Sequence, residues 1–236
     1  MKWLRTLVVF DRGDVAATAG WRSIHESYVR AIQSIDYPEG SGSLTLRCKA
    51  RRPDGQWNRN GVKYLRSRFL RHIVDDEGYL PEVGFSLERD SAPPKLCLYP
   101  SMEAYQEPIT SGFGGFDFVT TSPDGTHVAV EWETGNISSS HRSMNKLAIA
   151  LANGTVQAGV LIVPSRNLYE HLTDRIGNIG ELSSYLSMWK DLEARVERGL
   201  LAISVVEHDA LTEDKTCAYL PAGDDGRARQ GRARRA

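Results

Sequence analysis

The stretch GGFDFVTTSPDGTHVAVEWETGNISSSHRSMNKLAIALANGTVQAGVLIVP, residues 114–164, decides the fold. GGFDFVTT and THVAVEWE are strand-like runs separated by the turn sequence SPDG, so they predict a β-hairpin. Strand side chains alternate, which puts Val128, Val130 and Trp132 on one face and Ala129, Glu131 and Glu133 on the other. TGNISSS then offers helix-capping residues. Met144, Leu147, Ala148 and Leu151 recur at helical spacing, and Gly154 stops that helix. VQAGVLIV is a continuous apolar run ended by Pro164, the pattern of a strand buried on both faces.

Working outward, Trp21, Ile24, Tyr28, Ala31 and Ile35 mark an amphipathic helix within 13–36 that ends before Pro38. Leu44–Cys48 reads as a short strand, and RRPDGQWNRNG as a polar, turn-rich loop. Val62, Leu65, Phe69 and Ile73 mark a second helix with arginines on its other face; 87–112 reads as an irregular connection. Downstream, a helix over 179–196 and the apolar strand LLAISVV at 200–206 complete the pattern. The alternation implies an α/β fold with a central mixed β-sheet flanked by helices. No internal repeat or linker appears. The expected organisation is therefore a single domain over 1–226 followed by a flexible Arg-rich tail, 227–236.

Composition narrows the class. The 236 residues are 41% hydrophobic and 25% charged, an ordinary globular balance that excludes collagenous and disordered chains. No apolar run is long enough for a membrane span, and MKWLRTLVVFDRGD lacks the form of a secretion signal. Cys48, Cys97 and Cys217 are an odd count with no CxxC pair, which suits reduced thiols and a cytoplasmic location. The tail RARQGRARRA carries five arginines and no acid; subtracting +5 from the net −1 leaves −6 on the rest. Such a tail can serve as a basic arm that reaches phosphates.

The candidate chemistry lies in the hairpin. Asp117 is in its first strand, and Glu131 and Glu133 are in its second. Paired strands lie about 4.8 Å apart, so the three carboxylates can converge on one patch. Like charges that close call for a cation or a proton. Mg²⁺ takes carboxylate oxygens, keeps waters and accepts phosphate oxygens, and can polarise a phosphodiester. Taken alone, an E-x-E pair more often lines a solvated strand face.

The segments VEWETGNISSSHRSMNKL (130–147) and VLIVPSRNLYEHLTDRIGNIGELSSYL (160–186) resemble the active-site region of the BamHI-type type II restriction endonucleases. The spacing from Glu131 to Tyr185 is kept without a gap. Looser similarity extends to NGV at 60–62 and LPAGDDG at 220–226. The resemblance implies a restriction-endonuclease-like, PD-(D/E)xK fold of the E-x-E variant, with Glu133 where the wider superfamily has lysine. It implies that Asp117, Glu131 and the Trp132 carbonyl bind Mg²⁺, two ions per active site. Glu82 falls at the place of a fourth acidic residue, although Glu77, Glu88 and Glu103 also lie upstream of Asp117. The longer connection from Glu82 to Asp117 requires an insertion.

The resemblance also implies DNA contacts at Asn136, Ser138, Arg142, Asp174, Arg175, Asp225 and Gly226. These residue types suit base edges: Arg for guanine, Asn for adenine, Asp for the cytosine amino group. Taken singly, Asn136 and Ser138 could cap a helix, and Asp174 with Arg175 could form a surface ion pair. His141 has no assigned role. The implied function is cleavage of duplex DNA at the palindrome GGATCC by a homodimer, with a cognate DNA methyltransferase as functional partner. Apolar packing through Leu186, Met188 and Trp189 is expected at the dimer interface. A DNA-binding protein without cleavage and a repair nuclease of low specificity are the alternatives. The retained carboxylates argue against the first, and the full set of readers against the second.

Overall fold

A computed structural model describes residues 1–84, 99–103, 114–133, 135–173 and 175–221. Its centre is a six-stranded sheet in the order β1-β9-β8-β7-β6-β5. The strands are β1 (Lys2–Arg12), β5 (Leu80–Gly84), β6 (Gly115–Thr121), β7 (His127–Trp132), β8 (Ala158–Pro164) and β9 (Gly199–Glu207). β6 and β7 form the expected antiparallel hairpin. β7, β8 and β9 run parallel, and β1 and β5 close the two edges antiparallel. All seven residues of β8 are buried, as its unbroken apolar run requires at the centre of a covered sheet.

Helices cover both faces. Val128, Val130, Trp132, Val160 and Ile162 face α1 (Ala19–Gln33), α2 (Lys63–Arg71) and α4 (Arg166–Glu170). Ala129, Leu161, Val163 and Ile203 face α3 (Ile137–Ala152) and the segment from α5 (Ile179–Leu182) to α6 (Leu186–Asp191). β2 (Thr45–Arg47) pairs parallel with β10 (Ala210–Thr212), and β3 (Ala50–Arg51) pairs antiparallel with β4 (Trp57–Asn58). Among the described residues no helix is long and apolar enough to cross a membrane.

Several local expectations change. The first helix begins only at Ala19, capped by Thr18; the Asp11 carboxylate accepts from Val15 N and Ala16 N and holds a separate 3₁₀ turn before it. The helix expected over 179–196 is broken into α5, a 3₁₀ turn, α6 and a second 3₁₀ turn. Ser183 donates its hydroxyl back to Gly180 O, the local bonding that competes with regular helix. Trp189 is fully buried and donates to Asn145 Oδ1, so it cannot serve a dimer interface. Leu186 also packs on the core, which leaves Met188 and Tyr185 exposed. Apart from Tyr99–Glu103, the connection at 87–112 lies outside the described residues, as do Cys97, Glu88 and the tail.

Candidate active site

The hairpin brings Asp117 beside β7. The last ladder pair is Phe118↔Val130. One residue further on, Asp117 Oδ2 accepts from Trp132 N at 2.9 Å, so a carboxylate replaces the next rung. Asp117 Oδ1 lies 3.7 Å from Arg66 of α2. On the other side, β5 pairs Pro81 with Phe118 and Val83 with Phe116, and the intervening rung, Glu82 opposite Asp117, is missing. Glu82 sits there with φ +52, a left-handed backbone that a non-glycine residue rarely adopts. It is exposed beside Asp117. Glu77 is instead clamped by Arg30, and Glu103 is exposed in a separate segment.

Glu131 points to the α3 face and is 5% exposed. Lys146 of α3 lies 2.6 Å from its Oε1, and Ser143 donates to its Oε2 at 3.2 Å. Ser143 and Lys146 are one helical turn apart, so a single face of α3 holds both oxygens. Lys146 is itself buried, donates to Gly115 O and lies 5.0 Å from the centre of the Phe116 ring. Burial and the Asp117 charge raise the Glu131 carboxyl above its usual range, and Lys146 and Ser143 oppose the shift.

Glu133 is 6% exposed. Its Oε1 accepts from Gly135 N, whose close approach leaves no room for a Cβ beside Ser139. Its Oε2 is buried with no well-formed hydrogen bond to a described residue. Burial pushes this carboxyl up to about 7; the Ser140 hydroxyl and the Gly135 amide oppose the shift, while Asp117 and Glu131 add to it.

The three acids thus share one end of the hairpin, yet each is engaged elsewhere: Asp117 by Trp132 N, Glu131 by Lys146, Glu133 by Gly135. Among the described residues, no three His, Cys, Asp or Glu side chains are close enough together to hold a metal ion. The donor chemistry nevertheless suits a hard divalent cation. It offers carboxylate oxygens on adjacent strands, a main-chain carbonyl at Trp132 between the glutamates, and a buried Glu133 oxygen without a well-formed hydrogen bond.

The candidate readers adjoin this site. Asn136 caps α3, its Oδ1 accepting from Ser138 N and Ser139 N. Asn136, Ser138, Arg142 and Arg175 are all exposed. Asn136 forms a β-bridge with Ile176, and Gly177 N donates to Gly135 O, so two segments distant in sequence are joined. A Cβ on Gly177 would collide with the Ser140 hydroxyl, which explains glycine at this junction. Arg175 has φ +49. Asp174, Asp225 and Gly226 lie outside the described residues. His141 packs edge-on against Tyr185, 4.2 Å between ring centres.

Asn60 went unnoticed as a site residue. It is fully buried. Its Nδ2 donates to Arg47 O and His171 O, and its Oδ1 accepts from Leu220 N. Its main chain bonds His171 O and Thr173 N. It therefore ties the loop that carries Arg175 to the segment that leads toward Asp225. A buried asparagine in an N-G pair was the available signal, and it reads equally as a turn.

A mixed sheet with helices on both faces, and acids on its central hairpin beside a helix N-terminus, is the restriction-endonuclease fold of the PD-(D/E)xK class. Among solved structures, restriction endonuclease BglII complexed with a DNA 16-mer shares it, with a TM-score of 0.52 at 7% identity over 87% of this chain and 79% of that one. The family model for restriction endonuclease BamHI matches residues 1–227. Type II restriction enzyme OkrAI of Oceanobacter kriegii is 34% identical over 228 residues, 97% of this chain and 99% of that protein. Type II restriction enzyme BamHI of Bacillus amyloliquefaciens is 46% identical over 61 residues, 26% of this chain and 29% of that protein. The chain belongs to the BamHI restriction endonuclease family.

Proposed function

We propose that this type II restriction endonuclease uses Mg²⁺, two ions per active site, and acts as a homodimer on duplex DNA at GGATCC. The observation that carries the catalytic reading is the placement of Asp117 and Glu131 on adjacent strands with Glu82 across the missing rung. Asp117, Glu131, Glu82 and the Trp132 carbonyl would hold the metal. Bound there, Mg²⁺ would polarise the phosphodiester and favour hydroxide over water. Glu133, whose Oε2 is buried and raised toward 7, accepts the proton of the attacking water at that atom. Lys146 and Ser143 keep Glu131 oriented.

Recognition rests on the candidate readers, of which Asn136, Ser138, Arg142 and Arg175 are exposed. Arg142 and Arg175 supply donors for guanine N7 and O6, Asp174 accepts from the cytosine amino group, and Asn136 with Ser138 serves the inner A·T pair. Asp225 and Gly226 add contacts from beyond Leu220. A palindrome calls for two symmetric readers, hence the homodimer. Exposed Tyr185 and Met188 are available for its interface. A cognate methyltransferase would protect host DNA. Digesting a plasmid of known sequence with and without Mg²⁺, and sequencing the ends, tests this reading. Uniform ends at another motif would refute GGATCC alone; no cleavage with Mg²⁺ would refute the catalytic assignment.

A further inference from the structure

The β3–β4 hairpin has no part in the site described so far. Every residue from Ala50 to Asn58 is exposed, so no core holds it in place. Its order comes from a tight turn: Arg52 N donates to Gln56 O, Gly55 N to Arg52 O, and Gly55 takes φ +80. Trp57 projects 49% exposed, with Lys49 Nζ 5.8 Å from its ring centre.

Its charge is out of keeping with the molecule. Residues 47–59 contain Arg47, Lys49, Arg51, Arg52 and Arg59 against Asp54 alone, a local +4 in a chain of net −1. Lys49 pairs with Glu170, and Arg52 with Asp54 in the turn. Arg51 and Arg59 have no carboxylate partner among the described residues. Among the described residues, no carboxylate neutralises exposed Arg51, and Arg52 has only Asp54 of its own turn.

Its direction is fixed at its base. Lys49 N donates to His171 Nδ1, and Asn60, two residues beyond the second strand, bonds His171 and Thr173. Both legs are therefore pinned to the residues that immediately precede the loop bearing Arg175. From that anchor three extended residues reach about 10 Å, roughly three phosphate spacings along one strand.

We propose that the β3–β4 hairpin is a second DNA-contacting element, which grips backbone phosphates flanking the recognised base pairs through Arg51 and Arg52, with Trp57 laid against the adjoining sugar. The inference rests on the endonuclease reading and extends its footprint beyond the hexamer. Such contacts add affinity without sequence preference.

The test compares wild type with R51Q/R52Q and with W57A, in the absence of divalent metal so that no DNA is cut. Binding is measured over a range of salt to a long duplex centred on GGATCC, and to one trimmed to the hexamer with a single flanking pair at each end. On the long duplex, R51Q/R52Q removes four phosphate contacts from the homodimer and should flatten the slope of log affinity against log salt by about 3.6. The wild-type advantage should then shrink by about 150-fold over a fourfold rise in salt. W57A should weaken the same duplex with an unchanged slope. Affinity for the trimmed duplex, preference over single-base variants and thermal unfolding should match wild type. An unchanged slope on the long duplex overturns the proposal, as does equal loss on both duplexes, which would put the contact inside the hexamer. A changed oligomeric state in the variants overturns it by making the hairpin a protein interface. If wild type binds neither duplex, the endonuclease reading itself fails.

Discussion

Glu131 and Arg142 lie close in sequence but in opposite settings. Glu131 is 5% exposed, with both carboxylate oxygens held by one face of α3. Arg142, on the same helix, is exposed and has no ion pair among the described residues. The proposed catalytic half is preorganised by buried partners, so its electrostatics would act at low dielectric. The proposed reading half presents side chains that would take their partners from DNA. One helix carries both: its N-terminal residues face outward, while Ser143 and Lys146 fix Glu131 inward.

The sharpest way to break this contrast is to remove an inner acid. Glu131→Ala or Asp117→Asn should cost about 4 kcal/mol or more of transition-state stabilisation, on the order of a thousandfold in single-turnover cleavage. Binding to GGATCC should persist, because repulsion of phosphates falls. Cleavage by Glu131→Ala at the wild-type rate would sink the assignment. Lys146→Met should come next, as a loss of stability. It strands Glu131 as a buried, uncompensated charge, for which about 3–5 kcal/mol is typical. Urea unfolding measures it, and a loss below about 1 kcal/mol would mean that the pair is not structural.

Arg142→Ala should leave urea unfolding unchanged while lowering discrimination at one guanine by about 1–3 kcal/mol. Competition between cognate and single-base-variant duplexes reads this out. A destabilised Arg142→Ala protein would blur the division between inner and outer halves. A further effect concerns pH. Glu133 keeps its proton up to about 7 in the fold but has an ordinary value of 4.5. The folded state binds this proton more tightly, so its contribution to stability is full below 4.5 and is lost as pH rises through about 7. Unfolding of the metal-free protein followed from pH 4 to 8 should show this decline, and Glu133→Gln should flatten it.

The sequence made the centre of the fold plain and its margins obscure. Strands β6, β7, β8 and β9 carry alternation or unbroken apolar runs, which a sheet covered on both faces imposes. β1 escaped notice because Arg5 and Thr6 interrupt an edge strand whose ladder shifts register twice. β5 escaped because LPEVG contains proline and glycine, which argue against a strand everywhere except at an edge. Asp117, Glu131 and Glu133 were proposed from alternation combined with family resemblance, and the hairpin does bring them to one end of the sheet. Lys146 was not, because a lysine at helical spacing reads as a solvated face, and only the close approach of α3 to β7 buries it. Asn60 was hidden for a related reason: its partners are remote in sequence.

That remoteness bears on the order in which the molecule matures. The candidate acids take their partners locally, with Asp117 and Trp132 separated by 15 positions and Glu131 and Ser143 by 12. Asn60 closes loops of 111 positions to His171 and 160 to Leu220. Loop-closure entropy places such long-range contacts late in folding. On an elongating ribosome, the hairpin and α3 emerge together, but the Asn60 junction stays incomplete until Leu220 leaves the exit tunnel. Nascent chains would therefore assemble the candidate acids before the junction that holds the loop of the candidate reader Arg175.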